Sequence, residues 1–227
     1  MKINDITVSF LLPTRKRSEK LKELLDSFKN TCNSTNNYEV ILVFDSDDTE
    51  HINYFSSLEK NFNYKVIITD RVGYNNLHEY YNMAAFASKG RWLWVWNDDS
   101  KMLSKDWDLI IQQYDNQFII LNPYNTRPED HNYLQTNSLF PIVPRKWIEL
   151  LGYFSPWNHI DTYINRIQNG FNLLKNEFKI VHTHDRIIDD NLQNVTYHAV
   201  PFPEQNYIKD REIINNYLES IKNEKSF

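Results

Sequence analysis

Two aspartates, Asp98 and Asp99, come almost directly after the apolar run Trp92-Leu93-Trp94-Val95-Trp96, with only Asn97 between. Adjacent carboxylates at the exit of a strand repel each other unless a cation or bound donors compensate them, so the pair fits a divalent ion held by oxygen ligands. It fits equally a helix start, with Asp99 or Ser100 as the N-cap of a turn before Trp107. Mg2+ or Mn2+ takes one or two carboxylates plus substrate phosphates, which makes a single aspartate pair beside a phosphate-sized cleft a complete protein contribution. A histidine among the ligands would favour Mn2+. His182 and His184 alternate at the end of an apolar run and so face one side of a strand, either towards such an ion or simply half-exposed. Asp161 opens a helix, off its apolar stripe. It reads as a first-turn carboxylate worth about 0.3–1 kcal/mol against the helix dipole, or as a general base aimed into a cleft. Trp157, just before it, offers a flat aromatic face on which a ligand could stack.

The elements that would position these groups alternate. Ile6 to Pro13, Tyr38 to Phe44 and Tyr64 to Asp70 are apolar runs that read as buried strands, and each leads into polar residues: Arg15, Asp45 with Asp47 and Asp48, and Asp70 with Arg71. Between the first two, Leu21, Leu24, Leu25 and Phe28 predict an amphipathic helix with Ser18 as N-cap and Glu19 in its first turn. Leu77, Tyr81, Ala84 and Ala85 predict another, with Gly90 as its C′ residue. Strand–helix–strand alternation with continuous apolar strands implies a parallel sheet covered on both faces, with ligands at the carboxyl ends of its strands. Further on, Trp107, Ile110, Ile111 and Tyr114 predict a helix, and Phe118 to Leu121 a strand. Leu139 to Val143 reads as a strand demoted to an edge or bulge by Pro141. Pro144 starts a helix that Gly152 ends, Ile160, Ile164 and Ile167 mark another, and Lys179 to Asp185 is a strand. Arg186 to Tyr207 reads as a flap or wrap-around loop, and Ile213, Ile214, Tyr217, Leu218 and Ile221 as a final amphipathic helix.

The 227 residues, 41% of them apolar, suffice for one domain with a substantial core. A net charge of -5 gives no footprint for nucleic acid, although Arg15, Lys16, Arg17 and Lys20 form a local basic patch. The single cysteine, Cys32, excludes an intrachain disulfide and suits a reducing compartment, so a cytoplasmic location is expected. No apolar run approaches the roughly 18 residues of a membrane span, which leaves at most peripheral membrane contact.

The ordered set Leu11-Leu12-Pro13-Thr14-Arg15-Lys16-Arg17, the strand ending at Asp45, the Ala84 to Gly90 segment, Asn97-Asp98-Asp99, Arg145 to Asp161 and His182-Thr183-His184 resembles a GT-A glycosyltransferase of the family 2 type over about the first 185 residues. The resemblance implies a mixed, mainly parallel, Rossmann-like sheet flanked by helices, in a single domain over residues 1–227. Residues 1–100 would form a nucleotide-binding half, 101–185 an acceptor half, and 186–227 a flap and helix. It implies nucleotide binding by Pro13, Thr14, Arg15, Asp45, Arg71 and Asp98, a Mn2+ or Mg2+ ion on Asp99 with His182 or His184, and Asp161 as catalytic base. Asn97 stands where the family's D-x-D has its first aspartate, and Ile160 where the glutamate precedes the base. The implied reaction moves a sugar from a nucleoside diphosphate sugar, with UDP the expected nucleotide, to an acceptor hydroxyl with inversion. A nucleotidyltransferase, which would want a glycine-rich first loop, and a catalytically inactive sugar-binding domain of the same fold are the alternatives.

Overall fold

In the computed structural model, which describes residues 6–185 and 200–224, the first apolar runs become β1 (Val8–Thr14), β2 (Tyr38–Asp45) and β3 (Asn63–Thr69), and the tryptophan run becomes β4 (Trp92–Val95). Together with β5 (Ser100–Met102), β6 (Ile120–Asn125), β7 (Ile142–Pro144) and β8 (Leu174–His184), they form one sheet in the order β3-β2-β1-β4-β7-β6-β8-β5. The first four strands are parallel. β7 runs antiparallel to both β4 and β6, so two reversals return β6, and β8 parallel to it, to the direction of β1. The carboxyl ends of β1, β2, β3, β4, β6 and β8 therefore share one edge.

Period-2 alternation sorts the strands' side chains into two layers. Val8, Phe10 and Leu12, then Tyr38, Val40, Leu42 and Phe44, then Trp92 and Trp94 face one core. That core is closed by α1 (Ser18–Thr31), α2 (Thr49–Ser57) and α4 (Trp107–Gln112). Leu11, Ile41, Val43, Leu93 and Val95 face the other, under α3 (Leu77–Ala87), α5 (Lys146–Leu151), α6 (Ile160–Asn169) and α7 (Glu204–Glu224). The tryptophan run is thus a strand buried on both faces. The ring of Trp94 stacks on Phe10 at 5.1 Å and donates its N–H to the Phe140 carbonyl, while Trp92 donates to Asp115. These two indole donors are satisfied inside the core, whereas the N–H of Trp96, equally buried, has no hydrogen-bond partner among the described residues.

Several local expectations are corrected. Arg17, not Ser18, occupies the N-cap of α1, and its guanidinium is drawn instead to Asp98. Neither Asp99 nor Ser100 caps a helix: Ser100 opens β5, and Asp106, at φ 55, precedes α4. Gly90 is not a C′ residue, since α3 ends at Ala87 with an extended Ser88. A Cβ there would lie 2.5 Å from Ser9 Oγ and 2.6 Å from its backbone nitrogen, so close approach of the β1 backbone is what demands glycine. Pro141 lies just before β7, which sits inside the sheet and not at an edge; Pro144 closes that strand, and α5 starts only at Lys146. Gly152 does end α5 in the left-handed region, at φ 78. Of the expected flap, residues 186–199 lie outside the described ones, and Glu204 to Tyr207 already belong to α7.

Candidate active site

The shared strand edge and the start of α6 enclose a cleft of about 410 Å³. On one side, the turn after β1 brings Pro13, Thr14, Arg15 and Arg17 to it, β2 brings Asp45, and the residues after β3 bring Arg71. The end of β4 supplies Asn97, Asp98 and Asp99. Arg127 and Asp130 arrive from the segment after β6, Asn158 to Asp161 from the approach to α6, and His184 from the end of β8, next to Asp99.

Asp45 is already engaged by three groups. Arg15 Nη1 lies 2.9 Å from its Oδ2, Tyr80 donates its hydroxyl to Oδ1, and Arg71 Nε stands 4.0 Å away. Burial, and after it the bond to Asp45, pushes the Tyr80 phenol up to about 12. Arg15 also forks onto Asp47, with Nη2 2.9 Å from Oδ2. Asp98 is buried, accepting Thr14 Oγ1 at 2.8 Å and Arg17 Nη1 at 2.7 Å. Desolvation raises its carboxyl above the usual range, with Arg17 the leading opposing influence. Asp99 is approached by Arg17 Nη1 at 3.7 Å and by His184 Nε2 at 3.5 Å. Its backbone carbonyl accepts the Asp185 N–H at 2.9 Å, which ties β4's exit to the end of β8. Asn97 is held from behind by the Tyr81 hydroxyl at 3.1 Å.

The two histidines share a strand face but not a depth. His182 is buried beneath Trp96 and Phe140, with ring centroids 5.3 and 4.6 Å away, and does not line the cleft. Burial lowers its pKa to about 4, so it stays neutral in the core. His184, two residues on, lines the cleft beside Asp99. Asp161 is half-buried and lines the cleft, and desolvation raises its carboxyl, partly offset by backbone N–H groups of the α6 start. Ile160 is buried in the core below it. Trp157 is closed off as a stacking face: His159 and Phe202 pack on it at 4.5 and 5.2 Å, and its N–H is donated to the Val200 carbonyl. Of the expected site residues, then, Pro13, Thr14, Arg15, Asp45, Arg71, Asp98, Asp99, His184 and Asp161 meet in one cavity, and His182 does not.

Sequence reasoning placed Arg17 only in a basic patch and missed Arg127, Asp130 and Asn158 as cleft residues. Arg17 stands at the turn after β1, a signal that was available. The stretch around Arg127 has no periodic pattern, and nothing in it foretells which side chains turn inward.

The layout is that of a GT-A fold: a nucleotide-binding type of sheet whose carboxyl edge, extended past a reversed strand, carries a second wall of polar groups. The chain belongs to Glycosyl transferase family 2, whose family model matches residues 9–190. Among solved structures, the chain is similar to the mannosyltransferase PcManGT from Pyrobaculum calidifontis, in complex with GDP-Man and Mn2+, at 14% identity and a TM-score of 0.64. That match covers 79% of this chain and 57% of PcManGT. It is also similar to S. aureus TarS 1-349 in complex with UDP-GlcNAc, at 14% identity and a TM-score of 0.65, over 84% of this chain and 61% of TarS 1-349. The chain thus spans about three fifths of the length of these relatives. A search of curated proteins finds no match. Among the described residues no helix is long and apolar enough to cross a membrane.

Proposed function

We propose that the chain transfers a sugar from a nucleoside diphosphate sugar, UDP-linked, to an acceptor hydroxyl by direct displacement with inversion at the anomeric carbon. The carrying observation is the convergence of Asp45, Asp98, Asp99, His184 and Asp161 on one cavity in a chain of this family. That PcManGT and TarS hold GDP-Man and UDP-GlcNAc supports the class of donor.

The donor set suits a small divalent ion. Asp99 Oδ1 and His184 Nε2 stand 3.5 Å apart and would supply one oxygen and one nitrogen ligand. Among the described residues there is no cluster of three or more His, Cys, Asp or Glu to complete a cage. Mg2+ and Mn2+ ordinarily leave such positions to phosphate and water. When bound, the ion supplies positive charge against the departing diphosphate. The chain's own residues do the rest. Arg15 and Arg17 put guanidinium groups beside the phosphates, as their position on the β1 turn allows. Asp45 and Arg71 meet the base, and the backbone of Pro13 and Thr14 forms the floor beneath it. Asp161 takes the proton of the acceptor hydroxyl as the new bond forms. Its raised pKa makes it a stronger base than a solvated carboxylate, at the cost of losing the ionised form at a higher pH.

The test is release of nucleoside diphosphate from a panel of UDP- and GDP-sugars by the full chain. UDP-sugars should be cleaved slowly with Mn2+ and not after chelation, and NMR of an accepted product should give the inverted anomer. A panel in which no nucleotide sugar is bound or cleaved would sink the proposal.

A further inference from the structure

We infer that the acceptor carries an anionic oxygen group, phosphate or carboxylate, which Arg127 recognises beside a hydroxyl recognised by Asn158; this rests on the glycosyltransferase reading above.

Arg127 and Asn158 line the cleft on the side away from Asp45 and the β1 turn, the side that also holds Asp161. Each carries a buried polar atom without a hydrogen-bond partner among the described residues: Nη1 of Arg127, a donor, and Oδ1 of Asn158, an acceptor. Buried polar groups are nearly always satisfied, so two orphans of opposite character in one cavity mark places where a ligand completes the bonding. The donor among them belongs to a charged, planar fork that matches carboxylate and phosphate oxygens.

The charges around the cleft separate Arg127 from the other arginines. Arg15 is held by Asp45 and Asp47, and Arg17 by Asp98. Among the described residues, the only carboxylate paired with Arg127 is that of Glu129, 3.4 Å from Nε and 68% exposed. A pair so open to water is weak and leaves most of the positive charge uncompensated. The segment carrying Arg127 is nonetheless fixed. Asn125, fully buried at the end of β6, accepts the Arg127 backbone N–H at 3.0 Å on its Oδ1 and donates its Nδ2 to Asp130 at 3.1 Å. A guanidinium whose backbone is locked from below, on a residue that lines the cavity, is prearranged for a ligand.

The full chain, saturated with UDP and Mn2+ to fill the donor side, is titrated calorimetrically with glycerol 3-phosphate against glycerol and with glucuronate against glucose. At least one anion should bind at least about tenfold more tightly than its neutral counterpart. Arg127→Gln should remove that preference and Arg127→Lys retain part of it, with UDP affinity unchanged within about twofold. Preference for glycerol 3-phosphate alone assigns phosphate, and for glucuronate alone assigns carboxylate. Equal binding of charged and neutral probes, or a preference that survives Arg127→Gln in a variant that melts like the parent, overturns the inference. Absence of UDP binding overturns the donor reading, and with it the acceptor assignment, so the two failures are told apart.

Discussion

Replacing Arg17 by alanine asks how far its guanidinium offsets the burial of the Asp98 carboxylate. Arg17 Nη1 is 2.7 Å from Asp98 and 3.7 Å from Asp99, and side-chain exposures are 15%, 6% and 7%. Asp98 would be left with Thr14 as its donor. Removing one partner of a buried pair costs about 3–5 kcal/mol. Protonation sets a ceiling: at pH 7 the stranded carboxyl can take a proton for about (7 − 3.9) × 1.36, or about 4.2 kcal/mol. The expected loss is therefore about 3–4 kcal/mol. Its sign with pH follows from the raised carboxyl, which the variant raises further. Between the unfolded and folded pKa values the folded state binds the extra proton, so the variant's stability rises as pH falls. The gap to the parent should narrow by up to about 1.4 kcal/mol per unit on going from pH 7 towards about 4. Urea melts across that range measure it, and Asp98→Asn in the Arg17→Ala background should recover most of the loss. A gap below about 0.5 kcal/mol, which is the size of an ordinary surface substitution, or one that does not move with pH, would refute the reasoning.

Asp161→Asn should lower transfer by about 10²–10⁴-fold while leaving UDP affinity intact; loss of nucleotide binding instead would return Asp161 to a structural role. In the parent, kcat/KM should fall on the acid side at a pH above the ordinary carboxylate range of about 4, because desolvation raises Asp161, and a rate profile checks it. Asp99→Ala and His184→Ala should each abolish the dependence of UDP affinity on Mn2+, whereas His182→Ala should lower the melting temperature, having opened the core between Trp96 and Phe140. Gly90→Ala should cost more than Gly152→Ala by thermal melts. The first drives a Cβ into the β1 backbone at 2.6 Å, whereas the second meets nothing within 4 Å and carries only left-handed strain of about 1–2 kcal/mol.

The sheet's parallel half was legible because its strands are buried on both faces and so write themselves as unbroken apolar runs. Which way those runs point, and hence which edge gathers Asp45, Arg71 and Asp99, follows from alternation with helices. What escaped was set by contacts between distant segments. α2 has only His51 and Phe55 buried, too sparse a stripe to register in a polar stretch. β5 is three residues long and exists because β8 pairs with it. Gly90 looked like a helix end, but its reason lies in β1, some eighty positions earlier. His182 and His184 are identical in type and parity; Phe140 packs on both, at 4.6 and 5.0 Å, and it is Trp96 over the first that goes with its greater depth.

Both oxygens of Asp45 are occupied before anything enters, one by Tyr80 and the other by Arg15. Each oxygen keeps a second lone-pair site, so a ring edge that offers a donor to this carboxylate either adds a bond there or displaces one already made. A ring edge that turns lone pairs towards it loses bonds and meets repulsion. Because Arg15 and Tyr80 fix the carboxylate in place before a ligand arrives, Asp45 in this arrangement turns away rings whose edge carries only acceptors.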